Sequence, residues 1–187
     1  MQALINNFYS SVYSRWRINE EKAGKDIVGE EYEIMREAFW KQNGFSSSKG
    51  TIAGYDADQV IKDSSGKIVV IEEDKAHYVD SCFLDRFAMN AARVIQHYID
   101  SDMEDEMPYI VLSSMTKYNL FEDKFAKNKK LFSEKIQSIM TEKVKYFPMC
   151  KHDRVSAKKY FKSKSICFDL DAGLIAEQQN FINNDLK

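Results

Sequence analysis

Between Thr51 and Tyr78 the chain reads TIAGYDADQVIKDSSGKIVVIEEDKAHY, two short strand-like runs about one turn, with four acids and a lysine gathered at their ends. Asp58 leads into Gln59-Val60-Ile61-Lys62, and Asp63-Ser64-Ser65-Gly66 has the composition of a hairpin turn. Ile68-Val69-Val70-Ile71 is then a β-branched run ending in Glu72-Glu73-Asp74-Lys75. Strand side chains alternate faces, so Glu73 and Lys75 share one face and Glu72 and Asp74 the other. With Asp58 brought alongside by the neighbouring strand, two carboxylates can hold a hard cation such as Mg²⁺, water and a substrate phosphate completing the shell. Lys75 then stands beside the attacking water. Acid-x-lysine triplets also occur at Glu20-Glu21-Lys22 and Glu122-Asp123-Lys124, but only the middle one follows an apolar β run and an Asp-led strand. The rival reading of the triplet is a solvated, salt-bridged hairpin end.

A chain of 187 residues can bury a sizeable core, and its length favours a single domain over residues 1–187. Seven glycines and two prolines are too few for long flexible linkers. The net charge of −2 argues against a protein that coats nucleic acid by bulk electrostatics, so positive charge must be concentrated locally or a partner must supply the grip. Cys82, Cys150 and Cys167 lack metal-finger spacing and read as buried free thiols in a reducing cytoplasm. No run of about 18 apolar residues and no signal-peptide pattern is present, so a cytoplasmic protein without a membrane partner is expected.

In chain order, Leu4, Ile5, Phe8, Val12 and Trp16 describe an amphipathic helix from Gln2 to about Lys22. A second helix is expected from Asp26, as N-cap, to Gln42, with Gly44 as its stop. Ile27, Ile34, Met35 and Ala38 mark its apolar stripe, which places Glu31 near the stripe's centre, either salt-bridged or aimed at a metal site. Gly44 to Gly50 reads as a loop. Asp56 and Asp58 fall on one strand face and compete as metal ligands. His77 shares the face of Lys75 if the strand continues, as a substrate contact or a hydrogen-bonded bystander. A long helix is predicted over Asp80–Ile99, with Cys82, Phe83, Phe87, Ala91, Val94, Ile95 and Tyr98 inward and Arg86, Asn90 and Arg93 outward.

Asp100 to Glu106 reads as a solvated acidic loop and Tyr109 to Leu112 as a buried strand. A Lys-rich helix is expected over Phe121–Met140, with Phe125, Leu131, Phe132, Ile136 and Ile139 inward. Lys143 to Lys164 is the one strongly basic region, in which Lys158, Lys159 and Lys162 either track a phosphate backbone or form a solvated face. A last strand over Ser165–Leu170 and a helix over Ala172–Asn183 close the chain. This order implies an α/β fold, a mixed central β-sheet flanked by helices.

Ala57-Asp58 followed by Glu73-Asp74-Lys75 resembles the PD-(D/E)xK nuclease superfamily, in which an acid opens one strand and an acid-x-lysine triplet lies on the next. Ala57 stands where that family commonly has proline, and the resemblance covers roughly residues 26–112. It implies a restriction endonuclease-like core and Mg²⁺-dependent hydrolysis of double-stranded DNA, with Mn²⁺ able to substitute. Asp58 and Glu73 are then metal ligands, with the Asp74 backbone carbonyl as a third. Lys75 orients or deprotonates water, or stabilises the phosphorane. The acid-x-apolar-apolar pattern favours Asp58 over Asp56, which remains an alternative or second ligand. The glutamate that such enzymes often carry on the preceding helix matches Glu31, with Glu30 as the fallback. Within the superfamily the chain is most similar to the cleavage domain of type IIS restriction enzymes. Its length is like that of the small catalytic subunit of heterodimeric members, which relies on a larger subunit for site recognition and nicking of the other strand. The rival readings are a self-sufficient homodimeric nuclease and a non-catalytic interaction domain on the same fold.

Overall fold

The turn at Asp63 closes the predicted hairpin through its own side chain. Asp63 Oδ1 accepts the N–H groups of Ser65 at 2.8 Å and Lys67 at 3.1 Å, and Gly66 takes the left-handed conformation, φ +86°, that the turn requires. The computed structural model describes residues 1–18, 24–76, 79–117, 131–151 and 170–187. Along them run α1 (Gln2–Ile18), α2 (Gly24–Gln42), β1 (Ser46–Ile52), β2 (Tyr55–Lys62), β3 (Ile68–Lys75) and α3 (Ser81–Asp100). There follow β4 (Tyr109–Thr116), α4 (Glu134–Lys143), β5 (Val144–Cys150) and α5 (Ala172–Asp185). The strands form one mixed sheet in the order β1-β2-β3-β4-β5. The first three are antiparallel neighbours, whereas β3, β4 and β5 pair in parallel.

Parallel pairing of β3 and β4 needs a crossover, and α3 supplies it. The helix starts where Asp80, as N-cap, accepts the Phe83 N–H at 2.8 Å. Its inner face, including Phe83, Leu84, Phe87 and Ile95, packs with α4 on the sheet face that presents Val60, Ile71, Ile110 and Leu112. The opposite sheet face, with Ile61, Val70, Val111, Met115 and Phe147, is covered by α1, α2 and α5. The α/β architecture with a mixed sheet between helical layers is therefore the one expected.

Several elements differ from expectation, each for a packing reason. The predicted loop Gly44–Gly50 largely forms β1, an edge strand in which Ser47 is the buried residue; edges are often short and polar, which hides them. The start of the basic region is β5, whose Phe147, Met149 and Cys150 are buried and whose Pro148 is tolerated at the sheet margin. In α2, Asp26 lies inside the helix and is not its cap. The stripe there runs through Val28, Tyr32, Met35 and Phe39, leaving Ile34 55% exposed. Leu131, expected inward, is also exposed, because α4 starts only after Ser133, whose hydroxyl caps the Ile136 N–H. Cys82 is exposed rather than buried, and Cys150 donates its thiol to the Met115 carbonyl at 2.6 Å. No helix among the described residues is long and apolar enough to cross a membrane.

Candidate active site

The strand that carries Asp58 is irregular at Asp58 itself. The pairing of β1 with β2 passes from Ser48–Val60 to Gly50–Ala57, so Asp58 and Gln59 both stand opposite the single residue Lys49. That extra residue is a β-bulge, and it reverses the alternation of β2. Beyond it Tyr55 and Ala57 join Val60 in the cluster beneath α3, although strict alternation from Val60 would turn both away. Gly50 lets the strands approach: a Cβ there would lie 2.9 Å from Val60 Cγ2.

The bulge also ends the regular β2–β3 ladder, whose last pair is Gln59–Glu72. In its place the Asp58 carboxylate reaches across, Oδ2 accepting the Asp74 N–H at 2.8 Å. The Asp74 carbonyl, on the same side of its strand as that N–H, faces the same gap. Asp58 is half-buried, and burial raises its pKa, with the charge of Glu33 adding to the rise. The Asp74 N–H, Lys49 and Lys75 oppose that rise.

Glu73 projects to the α3 side of β3. Burial first, and the charge of Asp58 second, push its carboxyl up to about 7. The Tyr55 hydroxyl donates to Glu73 Oε2, and Lys75 and Arg86 favour the ionised form. Lys75 rests its ammonium over the Phe83 ring, 4.6 Å from the centroid. Asp58, Glu73 and Lys75 thus act on one another electrostatically, with Tyr55 and Phe83 as supports.

On the other side of β3 the acids belong to the interior. Glu72 is fully buried and receives both Nε and Nη2 of the equally buried Arg36, each at 2.8 Å. Arg36 Nη1 donates to Gln178 Oε1 on α5 at 2.8 Å. The Asp74 side chain lies in this group, accepting from Gln59 Nε2 at 3.3 Å, while Arg36 Nε stands 3.9 Å from its Oδ1. Burial, with the charge of Glu72 beside it, holds Asp74 well towards its neutral form. The Asp74 main chain meets the Asp58 carboxylate, whose charge also acts on the Asp74 side chain.

The other predicted residues are distributed as follows. Asp56, two residues before the bulge, is exposed and accepts from Thr51 Oγ1. Glu31 is buried but ion-paired with Arg15 of α1 at 2.7 Å, and Glu30 shares that arginine. The α2 glutamate whose charge acts on Asp58 is Glu33, which also pairs with Lys49 at 2.7 Å. Sequence reasoning missed it because the helical phase was anchored on Ile34, an exposed residue. Tyr55 carried no such signal, since only the bulge turns it towards Glu73. His77, Lys158, Lys159 and Lys162 lie outside the described residues.

No family model, curated protein or solved structure matches the chain. The chemistry of the site rests on its own residues. Among the described residues no three His, Cys, Asp or Glu side chains form a group able to enclose a metal. Mg²⁺ does not require one, as it is commonly held by one or two carboxylates with waters and phosphate oxygens. Two half-buried carboxylates that raise each other's energy, with a carbonyl facing the same gap, fit such an ion. A cleft of about 300 Å³ between α2 and β1 adjoins the bulge and is lined by Glu33, Glu37, Lys49 and Gln59 among others.

Proposed function

We propose that this chain is a Mg²⁺-dependent endodeoxyribonuclease of the PD-(D/E)xK kind. The observation that supports this reading best is the bulge at Asp58, which turns a separate strand's carboxylate onto the Asp74 N–H beside Glu73 and Lys75. A solvated hairpin end needs no bulge and would leave its carboxylates in water, not half-buried against each other.

In this reading Asp58, Glu73 and the Asp74 carbonyl hold the metal. When bound, Mg²⁺ polarises the phosphodiester and acidifies a water. Tyr55 fixes the Glu73 carboxylate by its hydrogen bond, so the ligand is oriented before substrate arrives. Phe83 holds the Lys75 ammonium above its ring, from where it stabilises negative charge on the attacking oxygen or on the phosphorane. Burial beneath α3 strengthens each of these electrostatic effects.

The net charge of −2 favours delivery to DNA by a partner over tight binding by this chain. We therefore read it as the strand-cleaving small subunit of a heterodimeric type IIS restriction enzyme, dependent on a larger recognition subunit. The test is cleavage of supercoiled plasmid in Mg²⁺ or Mn²⁺, with and without nuclease-free extract enriched in the native DNA-binding partners, using Lys75→Ala as control. Site-specific cutting only with extract, lost in the variant, is the expected result. Cutting by the chain alone points to a self-sufficient nuclease. No cutting in either arm overturns the nuclease reading in favour of a non-catalytic interaction domain.

A further inference from the structure

The Phe83 ring carries two cations. Lys75 Nζ lies 4.6 Å from its centroid and the Arg86 guanidinium carbon 5.4 Å. Phe83 itself is buried and anchored at the capped start of α3, so it is a fixed platform. Lys75 comes from the end of β3, whereas Arg86 comes from the second turn of α3 and is exposed. Among the described residues the Arg86 guanidinium makes no hydrogen bond or ion pair, so its planar donor fork is open to a ligand.

Placing two like charges over one ring is costly unless an anion joins them. The two carboxylates nearby, Asp58 and Glu73, balance Lys75 and Arg86 only while neither pair is otherwise neutralised. A divalent cation held by the carboxylates leaves both cations without counter-charge. A phosphodiester carries one negative charge and gains a second as it is attacked, which restores the balance. The Arg86 fork also matches phosphate oxygens in a way an ammonium does not.

Resting on the nuclease reading above, we propose that Arg86 is a substrate-binding residue that, with Lys75 on the shared Phe83 ring, grips a phosphate of the DNA strand being cut. Its role is binding, and the sequence triplet does not include it. The clamp also explains why the exposed side of α3 begins with a cation close to the carboxylates.

The experiment measures binding of the full chain to a fluorescein-labelled DNA duplex by anisotropy, in Ca²⁺ to prevent cleavage, over a salt series starting at low ionic strength. Wild type is compared with Arg86→Ala, Arg86→Lys and Lys67→Ala. Lys67 is an exposed cation in the hairpin turn at the opposite end of β3, so its variant removes the same charge elsewhere. Expected for Arg86→Ala is roughly tenfold weaker binding and a salt slope smaller by about 0.9, the loss of one phosphate contact. Arg86→Lys keeps the slope but loses part of the affinity, and Lys67→Ala stays near wild type. Unchanged melting temperatures separate this from misfolding. If wild type binds and Arg86→Ala matches it in affinity and slope, the clamp is overturned and the nuclease reading stands. If wild type does not bind duplex even at low salt, the clamp fails, and the plasmid assay with extract decides the nuclease reading separately.

Discussion

Glu72 and Glu73 are chain neighbours on one strand, yet they sit in opposite electrostatic situations. Glu72 is fully buried and met by two hydrogen bonds from Arg36, itself fully buried and tied to α5 through Gln178. Glu73 is only partly buried and shares its surroundings with Asp58, a second acid, so its carboxyl is pushed up to about 7. One face of β3 uses charge to fasten the layers together. The other holds charge in a state that a cation or a phosphate would relieve. Acid content alone does not mark a functional residue; what matters is whether the fold has already supplied the counter-charge.

The largest effect belongs to the interior face. Arg36→Ala leaves Glu72 buried without its partner and costs about 3–5 kcal/mol in denaturant unfolding. The double variant Arg36→Met with Glu72→Leu recovers most of that loss. A single-variant loss below about 1 kcal/mol would mean that water reaches the pair, and the contrast between the faces would disappear.

The site residues answer chiefly in activity. Asp58→Ala, Glu73→Ala and Lys75→Ala each lower plasmid cleavage at least about a hundredfold without unfolding the chain. Unchanged cutting by any of the three removes that residue from the mechanism. Gly50→Ala tests the bulge that joins the faces, since its Cβ would stand 2.9 Å from Val60 Cγ2. A stability loss of about 1–3 kcal/mol with a parallel fall in cleavage is expected. Full activity in that variant would show that the site tolerates a shifted Asp58.

The smallest effect is a pH signature. The Glu73 carboxyl sits at about 7 in the folded chain against an ordinary value of 4.5, so the folded state binds its proton more tightly than the unfolded state. Its contribution to stability is therefore fully present below about 4.5, declines as pH rises to about 7, and is flat above. Glu73→Gln removes this dependence, so the stability of the variant relative to wild type rises across that interval. Metal-free thermal melts of both proteins check it. A constant difference between them would place Glu73 in a more solvated setting.

The hairpin, the capped helix α3 and the division of Glu73 and Lys75 from Glu72 and Asp74 were all legible in the sequence. Each depends on residues a few positions apart, through strand alternation, turn chemistry or the Asp80 cap. What could not be read there lies between distant segments. The edge strand β1, the bulge opposite Lys49 and the turning of Tyr55 towards Glu73 follow from pairing across the sheet. The phase of α2, which buries Arg36 and turns Glu33, not Glu31, towards Asp58, follows from packing against β3 and α1. Local sequence determined which residues form strands and helices and which acids share a face. Tertiary structure decided which acid received its counter-charge, because burial and the approach of a partner depend on contacts that no local periodicity encodes.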